Sequence, residues 1–256
     1  MRPTISVVTP SFNQGKYLEA TILSVLDQRY EDLEYIVIDG GSTDCSVEVI
    51  REHEGEIDFW VSEPDGGHVP GLIKGFSHAT GEIQCWLNSD DLFEPGALDA
   101  VGEYFAEHPD CMALYGDALW IDVQGEVIRP KKEHDFSRFI WMYDYNYIPQ
   151  PSMFWRKSLY ESVGGLDREY QLAFDADLWI RFADVTELHH MRRVLSRMRL
   201  YSEQRNQKYR SISDAEDLRM RRRYIGGEHL VSLKAKKAIA KAMRVSRKLA
   251  LGAYWT

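Results

Sequence analysis

Short apolar runs alternate with segments of helical periodicity along the first hundred residues. The runs predict β-strands over residues 5–9, 35–38, 59–61 and 83–87, with Pro10 ending the first of them. The segments between and after them predict helices near residues 18–26, 47–54, 71–79 and 96–107. Because strand and helix alternate four times, the pattern predicts an α/β fold with an open, mostly parallel sheet flanked by helices.

The pattern is less regular in the second half of the chain. It predicts strands over residues 113–117 and 153–155, and helices near 157–163 and 175–181. The chain shows no internal repeat and no low-complexity linker. We therefore expect one domain over residues 1–204, followed by a basic, mainly helical extension over residues 205–256.

The composition is that of a soluble globular protein, since 44% of the residues are hydrophobic, 28% are charged and no apolar run is long enough to span a bilayer. The first strand follows the start of the chain without a signal-peptide pattern. Cys45, Cys85 and Cys111 form no CxxC pair, so neither a disulfide framework nor a zinc site is expected. These features favour a cytoplasmic location.

Charge is distributed unevenly. Residues 1–190 hold 13 Lys and Arg against 35 Asp and Glu, whereas residues 191–256 hold 18 against 5. In the segment from Leu230 to Trp255 basic and apolar residues are interleaved, which predicts a basic helix. That helix either lies on an anionic membrane surface or packs against the acidic body, and the sequence leaves both possibilities open. The acidic body argues against a nucleic-acid partner.

Acidic residues follow several of the predicted strands. Asp39 and Asp65 come after the second and third strands, and the adjacent Asp90 and Asp91 come after the fourth. Ligands of open α/β sheets bind beyond the carboxyl ends of the strands, so these acids are expected near one site. Adjacent carboxylates repel each other, and a divalent cation that bridges to phosphate oxygens would stabilise them. A helix cap with a solvated loop acid is the alternative.

Five segments carry a resemblance to a known family. They are Val8-Thr-Pro-Ser-Phe-Asn13, Ile36-Val-Ile-Asp-Gly-Gly-Ser-Thr-Asp44, Ser62-Glu-Pro-Asp-Gly-Gly67, Leu87-Asn-Ser-Asp-Asp91 and Phe174-Asp-Ala-Asp-Leu-Trp-Ile-Arg181. In this order they resemble the family 2 glycosyltransferases of bacterial type, which have the Rossmann-like GT-A fold. The resemblance covers residues 5 to about 200.

The resemblance implies a set of donor-binding residues. Those matched to the nucleotide pocket are Pro10, Ser11, Asp39, Asp65 and Gly67, with the Asp39 carboxylate accepting an N–H of the base. Lys74 is implied as a phosphate contact, although a solvated lysine is an equal alternative.

The resemblance also implies the catalytic residues. Ser89, Asp90 and Asp91 stand at the family's DxD-type motif, with Asp90 facing the ribose or the donor sugar and Asp91 holding Mn²⁺ or Mg²⁺. Asp175 matches the general base that takes the acceptor proton. Asp177 is a weaker candidate because residues i and i+2 of a helix point to different faces.

The implied activity is metal-dependent, inverting transfer of a sugar from a nucleotide-diphosphate donor, with UDP favoured. The acceptor would be a glycan or lipid-linked hydroxyl in surface polysaccharide or glycoconjugate synthesis, at the inner face of the cell membrane if the basic helix binds there. One alternative is a non-catalytic nucleotide-sugar-binding module. The other is a sugar-phosphate nucleotidyltransferase, against which the chain lacks an Arg-containing, Gly-rich loop after its first strand.

The chain departs from the family pattern at several positions. Pro70 and Ile73 replace an acid and an asparagine found in many members, and Tyr201 stands near the position where many relatives carry a histidine, so a third metal ligand is not expected. His189 and His190 are interpreted as surface residues.

Aromatic side chains are concentrated between residues 136 and 147. They are Phe136, Phe139, Trp141, Tyr143, Tyr145 and Tyr147. With Trp155 and Trp179 they either belong to the core or form an acceptor cleft in which sugar rings stack, and both interpretations stay open. Gln150 is a further candidate for the wall of the site.

Overall fold

The computed structural model describes residues 2–225 and 230–253. Its strands are β1 (Ile5–Ser11), β2 (Leu33–Asp39), β3 (Phe59–Ser62), β4 (Ile83–Trp86), β5 (Leu92–Phe93), β6 (Ala113–Ile121), β7 (Val127–Lys131), β8 (Met153–Arg156) and β9 (Leu188–Arg199). Its helices are α1 (Gly15–Leu26), α2 (Ser46–Glu52), α3 (His68–His78), α4 (Ala97–Glu107), α5 (Arg138–Tyr143), α6 (Lys157–Ser162), α7 (Phe174–Val185), α8 (Arg205–Lys208), α9 (Arg210–Ile225) and α10 (Leu230–Ala250).

The strands form one sheet in the order β3-β2-β1-β4-β8-β6-β9-β5, and β7 pairs with β6. The predicted parallel arrangement is confirmed for β3, β2, β1 and β4. Beyond β4 the sheet is mixed, since β8 runs antiparallel to β4 and β6 while β6 and β9 are parallel. The α/β fold with helices flanking the sheet is thus observed, and its second half adds antiparallel pairs that the alternation did not predict.

The register of the parallel strands brings their carboxyl ends to one edge. Ser11 pairs with Asp39, and Asp39 pairs with Ser62. The prediction that Pro10 ends β1 is wrong, because the strand continues to Ser11. The carbonyl of Val8 faces β4 and accepts the Leu87 N–H. The backbone nitrogen of Pro10, two residues later, faces the same side, but Pro10 lies beyond the last residue of β1 that pairs with β4. Its missing N–H therefore costs no hydrogen bond to β4.

Three strands were not predicted from the sequence. β5 has only two residues, and β7 pairs with a single neighbour in the described chain. β9 has twelve residues, of which four are Arg and two are His, so it lacks the apolar run that marked the other strands. Its pairing with β6 over the full length of that strand compensates for this composition.

Four of the aromatic residues singled out in the second half belong to the core. Trp141, Tyr147, Trp155 and Trp179 are all fully buried. The Trp179 ring stacks on Trp86 with centroids 5.3 Å apart and lies 5.5 Å from the Trp155 centroid. Of the two interpretations of this cluster, the core is confirmed for these four residues.

The predicted basic C-terminal helix is present, and one of its faces packs against the acidic body. Lys248 is buried and donates to Glu133 at 2.9 Å, a carboxylate that Lys131 also contacts at 2.7 Å. Arg244 pairs with Asp144. Further along, the ammonium of Lys236 donates to the Tyr143 hydroxyl at 3.2 Å.

Other side chains of α10 are exposed. Lys234, Lys237 and Lys241 are exposed, and Ile239 and Leu249 are 52% and 47% exposed. Trp255, which ends the basic segment, lies outside the described residues. None of the helices in residues 2–225 and 230–253 combines the length and hydropathy needed to cross a bilayer.

Candidate active site

A cleft of about 630 Å³ opens at the edge where the parallel strands end, which is within the size range of small-molecule sites. Of the predicted site residues, eight line it: Pro10, Ser11, Asp65, Gly67, Ser89, Asp90, Asp91 and Asp175. Gln150, the further candidate for the wall, also lines it. The cleft thus collects side chains from positions more than 160 residues apart in sequence.

Asp39 is not among the lining residues, because it is fully buried beneath the turn that follows β2. Its Oδ2 accepts the N–H groups of Gly41 and Ser42 at 3.1 and 2.8 Å and the Ser62 hydroxyl at 2.7 Å, while Oδ1 accepts the Ser42 hydroxyl at 2.6 Å. The carboxylate therefore fixes the turn whose Gly40 faces the cleft.

The loops after β1 and β2 are also tied to each other. The N–H of Asn13 donates to the Ser42 hydroxyl at 2.7 Å, and the Asn13 side chain accepts the Thr43 N–H at 2.8 Å. Asp44 accepts the Gly15 N–H at 3.0 Å at the start of α1. The polar residues of these two motifs thus build the cleft wall behind Pro10 and Ser11.

Asp65 shapes the loop that leads into α3. Its Oδ1 accepts the Gly67 N–H at 2.8 Å, and Gly67 has a φ of 121°, which favours glycine. A Cβ at Gly71 would lie 2.5 Å from Asp65 Oδ2, so only glycine lets the helix approach this carboxylate. The two glycines of the motif Asp65-Gly66-Gly67 are therefore explained by the positive φ that both adopt in this loop, since a Cβ at either position would meet no crowding.

The acidic pair lies in a tight turn after β4. Asp90 is 8% exposed and Asp91 is 3% exposed. Asp91 accepts the Arg199 N–H at 2.9 Å and faces the Asn88 amide at 3.4 Å. Burial raises the pKa of Asp90, and burial together with the charge of Asp90 raises the pKa of Asp91 well above its usual range.

Tyr201 donates a hydrogen bond of 2.8 Å from its hydroxyl to Asp90 Oδ2. The nearby Arg199 guanidinium donates instead to the backbone carbonyls of Asp90 and Asp122, at 2.9 and 2.7 Å. Two buried carboxylates therefore face the cleft with a phenol as the partner of one of them.

Asp90 and Asp91 fit a divalent cation that takes its remaining ligands from a phosphate group. The described residues contain no cluster of three or more His, Cys, Asp or Glu side chains that could hold a metal by itself. Mg²⁺ and Mn²⁺ are commonly bound through one or two carboxylates plus substrate phosphates. A cation bound at Asp91 would offset the burial and the neighbouring Asp90 charge that raise the pKa of Asp91, and an incoming phosphate would supply further ligands to that cation.

Asp175 also lines the cleft and lies in the first turn of α7. Burial raises the pKa of Asp175 to about 6, although hydrogen bonds from its own helix and from Asn146 oppose the shift. The Asn146 amide donates to Asp175 Oδ2 at 3.1 Å. A carboxylate with a pKa near 6 is ionised at neutral pH and is still basic enough to accept a proton from a hydroxyl.

Asp177 faces away from the cleft. Its Oδ2 accepts from Arg181 Nε at 2.9 Å, and it is not among the lining residues. Arg181, which could have paired with Asp175, is thus bound to Asp177 instead. This supports the choice of Asp175 over Asp177.

Several candidates lie elsewhere. Lys74 pairs with Glu63 and does not line the cleft. The interpretation of His190 as a surface residue is wrong, because its side chain is 1% exposed and its Nε2 lies 3.0 Å from Asp117. His189 is partly buried, with Nδ1 2.9 Å from the Tyr104 hydroxyl. Of the eight aromatic residues considered for the acceptor cleft, none is among the described residues that line it.

Other lining residues were not predicted. Arg205 is the one Lys or Arg among the described residues of the cleft wall, and His68 is its histidine. Burial lowers the pKa of His68 to about 3, with Arg205 adding to the shift, so the imidazole is neutral. Gln171 and Leu172 complete the wall beside Asp175. They belong to no motif, and no periodicity in the sequence indicates them.

The cleft therefore combines two chemical capacities. It presents a buried acidic pair that suits a cation bridged to phosphate, and it presents a carboxylate poised to accept a proton. Arg205 adds a positive charge to the lining.

Comparison with known proteins shows which family the chain matches. The family model described as "Glycosyl transferase family 2" matches residues 6–164. An uncharacterised glycosyltransferase of Mycobacterium tuberculosis is 33% identical over 195 residues, covering 75% of this chain and 74% of that protein. A PGL/p-HBAD biosynthesis glycosyltransferase of Mycobacterium bovis is 27% identical over 183 residues, covering 70% and 69%.

Solved structures show the same fold at low identity. TarS 1-349 of S. aureus in complex with UDP-GlcNAc matches with a TM-score of 0.69 and 16% identity, covering 96% of this chain and 73% of that chain. The mannosyltransferase PcManGT of Pyrobaculum calidifontis, in complex with GDP-Man and Mn²⁺, matches with a TM-score of 0.67 and 19% identity, covering 100% and 76%.

Proposed function

The chain belongs to glycosyl transferase family 2 and is a glycosyltransferase with the GT-A fold, and from this we propose that it transfers a sugar from a nucleotide-diphosphate donor with inversion. The observation that carries the proposal is that Asp91 and Asp175 line the same cleft. The proposed acceptor is a hydroxyl of a glycan or a lipid-linked glycan, as expected of an enzyme of surface polysaccharide or glycoconjugate synthesis.

The nucleotide would occupy the half of the cleft formed by Pro10, Ser11, Asp65 and Gly67. Solved neighbours bind UDP, UDP-GlcNAc or GDP-Man, and we favour UDP here. Asp39 remains our candidate for the base N–H, which it can reach only when the turn that covers it moves, because the residue is fully buried. Its Oδ1 accepts one hydrogen bond within the described chain, from Ser42, and so retains a lone pair.

The diphosphate would lie against the acidic pair. Asp91 would hold Mg²⁺ or Mn²⁺, which in this position supplies Lewis-acid neutralisation of the charge on the leaving diphosphate. Asp90, directed by Tyr201, would contact the ribose or the donor sugar. The guanidinium of Arg205 would contribute a second positive charge near the phosphates, and Ser89 a hydroxyl. For Lys74 we propose only a weaker role, since it would contact the phosphates after its ion pair with Glu63 breaks.

The transfer step would be a single displacement. Asp175 accepts the proton of the acceptor hydroxyl, the acceptor oxygen forms a bond to the anomeric carbon, and the bond from that carbon to the phosphate oxygen breaks. The nucleoside diphosphate departs with the electron pair of that bond. Because attack comes from the face opposite the leaving group, the anomeric configuration inverts.

The exposed residues of α10 support a peripheral location. Lys234, Lys237 and Lys241 are exposed on this helix, as are Ile239 and Leu249, and a helix that exposes both basic and apolar side chains suits an anionic membrane surface at which lipid-linked acceptors are found. We therefore propose a cytoplasmic enzyme that binds weakly at the inner face of the membrane.

Substitution of the two carboxylates tests the function. With a panel of nucleotide sugars and Mn²⁺, Asp91→Asn and Asp175→Asn should each reduce turnover by about 100-fold or more, while Asp184→Asn, an exposed acid on α7, should not. Nuclear magnetic resonance of the product should show an inverted anomeric configuration. Wild-type protein that binds a nucleotide sugar but neither transfers nor hydrolyses it would instead establish a non-catalytic binding module.

A further inference from the structure

Helix α9, in the C-terminal extension, holds the loop that precedes the helix of Asp175. This loop spans residues 167–173 and connects α6 with α7. Arg223 donates to Glu169 Oε2 at 3.1 Å. Arg219 donates to the Glu169 carbonyl at 2.6 Å, and its guanidinium lies 4.6 Å from the Tyr170 ring centroid. Two arginines of α9 thus fix the first half of the loop.

Glu216 fixes the second half of the loop. Its carboxylate accepts the N–H groups of three consecutive residues, Gln171 at 2.9 Å, Leu172 at 2.8 Å and Ala173 at 3.0 Å. Ala173 is the N-cap of α7 and offers no side-chain cap of its own. The carboxylate of Glu216 therefore holds the backbone that leads into α7, whereas a usual N-cap side chain accepts an N–H from within the first helical turn.

The residues held in this way belong to the cleft. Gln171 and Leu172 line it, and Asp175 follows Ala173 by two positions, within the first turn of α7. The placement of Asp175 relative to the acidic pair thus depends on the backbone that Glu216 holds. A displacement of about 1 Å at a reacting group can reduce a rate by about 100-fold.

We propose that Glu216 is a positioning residue for the acceptor side of the active site, acting through residues 171–173 on Asp175. This inference rests on the proposed transfer function. It makes the extension part of the catalytic apparatus, since a residue of α9 then sets the geometry of the general base. Glutamine at this position has nearly the same shape, but it loses the charge and directs an NH₂ group at backbone donors.

The test compares Glu216→Gln and Glu216→Asp with Asp214→Asn, a matched change at an exposed acid of the same helix. We expect Glu216→Gln to lower kcat for transfer by about 10- to 100-fold. Thermal stabilisation by UDP with Mn²⁺, which reports the donor side, should stay at the wild-type value. Hydrogen–deuterium exchange of the amides of residues 171–173 should accelerate, and Glu216→Asp should give an intermediate result in both measurements.

Two outcomes would overturn the proposal. One is transfer by Glu216→Gln within about twofold of Asp214→Asn; the other is a loss of UDP binding in parallel with activity, which would indicate general unfolding. Wild-type protein that is inactive with every donor counts against the proposed function instead. In that case unchanged amide exchange at residues 171–173 in Glu216→Gln overturns the positioning role on its own.

Discussion

The side-chain amide of Asn146 donates a hydrogen bond of 3.1 Å to the carboxylate of Asp175, 29 residues away in sequence. Asn146 follows α5 and Asp175 begins α7, so the bond joins two elements across the wall of the cleft. It favours the ionised form of a carboxyl whose pKa burial raises to about 6. Substitution of Asn146 therefore tests the role of Asp175 as the proposed general base.

Replacement of Asn146 should change the pH dependence of transfer. Without the amide donor, the pKa of Asp175 rises further, because a hydrogen bond to the charged form is lost. The acid limb of the kcat/KM profile, expected near pH 6 for the wild type, should therefore shift upward by about one pH unit in Asn146→Ala. Activity should fall most at pH 6 to 7 and recover at pH 8.5. An acid limb that does not move would contradict Asp175 as the base.

Arg205 should affect donor binding more than turnover. It is the one Lys or Arg of the described cleft wall, and a phosphate contact by a guanidinium is typically charge-assisted. We expect Arg205→Gln to raise the KM for the nucleotide sugar by about tenfold, with a smaller change in kcat. Lys208→Gln, on the same short helix but away from the cleft lining, is the control. Equal KM values for Arg205→Gln and Lys208→Gln would show that Arg205 does not contribute to donor binding.

Tyr201 offers a test of the metal site. Its hydroxyl contacts Asp90 beside Asp91, so Tyr201→His would bring an imidazole to the acidic pair. Because imidazole is a better metal ligand than a neutral phenol, affinity for Mn²⁺ in the presence of UDP should rise by about tenfold. Tyr201→Phe, which removes the hydroxyl alone, should not show this gain. Titrations followed by electron paramagnetic resonance of Mn²⁺ would measure the affinity of both variants. Equal Mn²⁺ affinities of Tyr201→His and Tyr201→Phe would indicate that the cation does not bind beside Tyr201.

The exposed lysines of α10 should govern binding to anionic vesicles. A lysine close to such a surface contributes about 1 kcal/mol, so the triple change of Lys234, Lys237 and Lys241 to Gln should weaken partitioning by roughly 100-fold at moderate salt. The control is the triple change to Gln of Arg129, Arg192 and Arg193, which are exposed on the body. Co-sedimentation with vesicles that contain phosphatidylserine would compare the two. Similar losses in both variants would indicate a non-specific charge effect.

Features encoded locally were predictable from the sequence. The first four strands and the acids at their ends follow from short-range patterns, and the structure brings Asp65, Asp90 and Asp91 to one cleft. Asp39 was correctly placed at the end of β2, but its burial depends on Ser62, a residue of the neighbouring strand. The sequence could not reveal that the carboxylate holds its own turn.

Features that depend on distant contacts were not predictable. His190 carries no local sign of burial, yet the pairing of β9 with β6 stacks its ring on Tyr115 with centroids 4.8 Å apart. Likewise, Glu216 lies 45 residues from Gln171 in sequence, and neither belongs to a recognisable motif. The first contact arises only when β9 pairs with β6, and the second only when the helices of the extension dock against the body.

The burial of Lys248 against Glu133 has a consequence for how the molecule melts. Glu133 is 1% exposed and lies between the ammonium groups of Lys131 and Lys248. Detaching α10 would leave that carboxylate with a single partner in a region poorly accessible to water, which is unfavourable. The extension and the body should therefore lose their structure in one cooperative transition, and calorimetry of the intact chain should record a single endotherm.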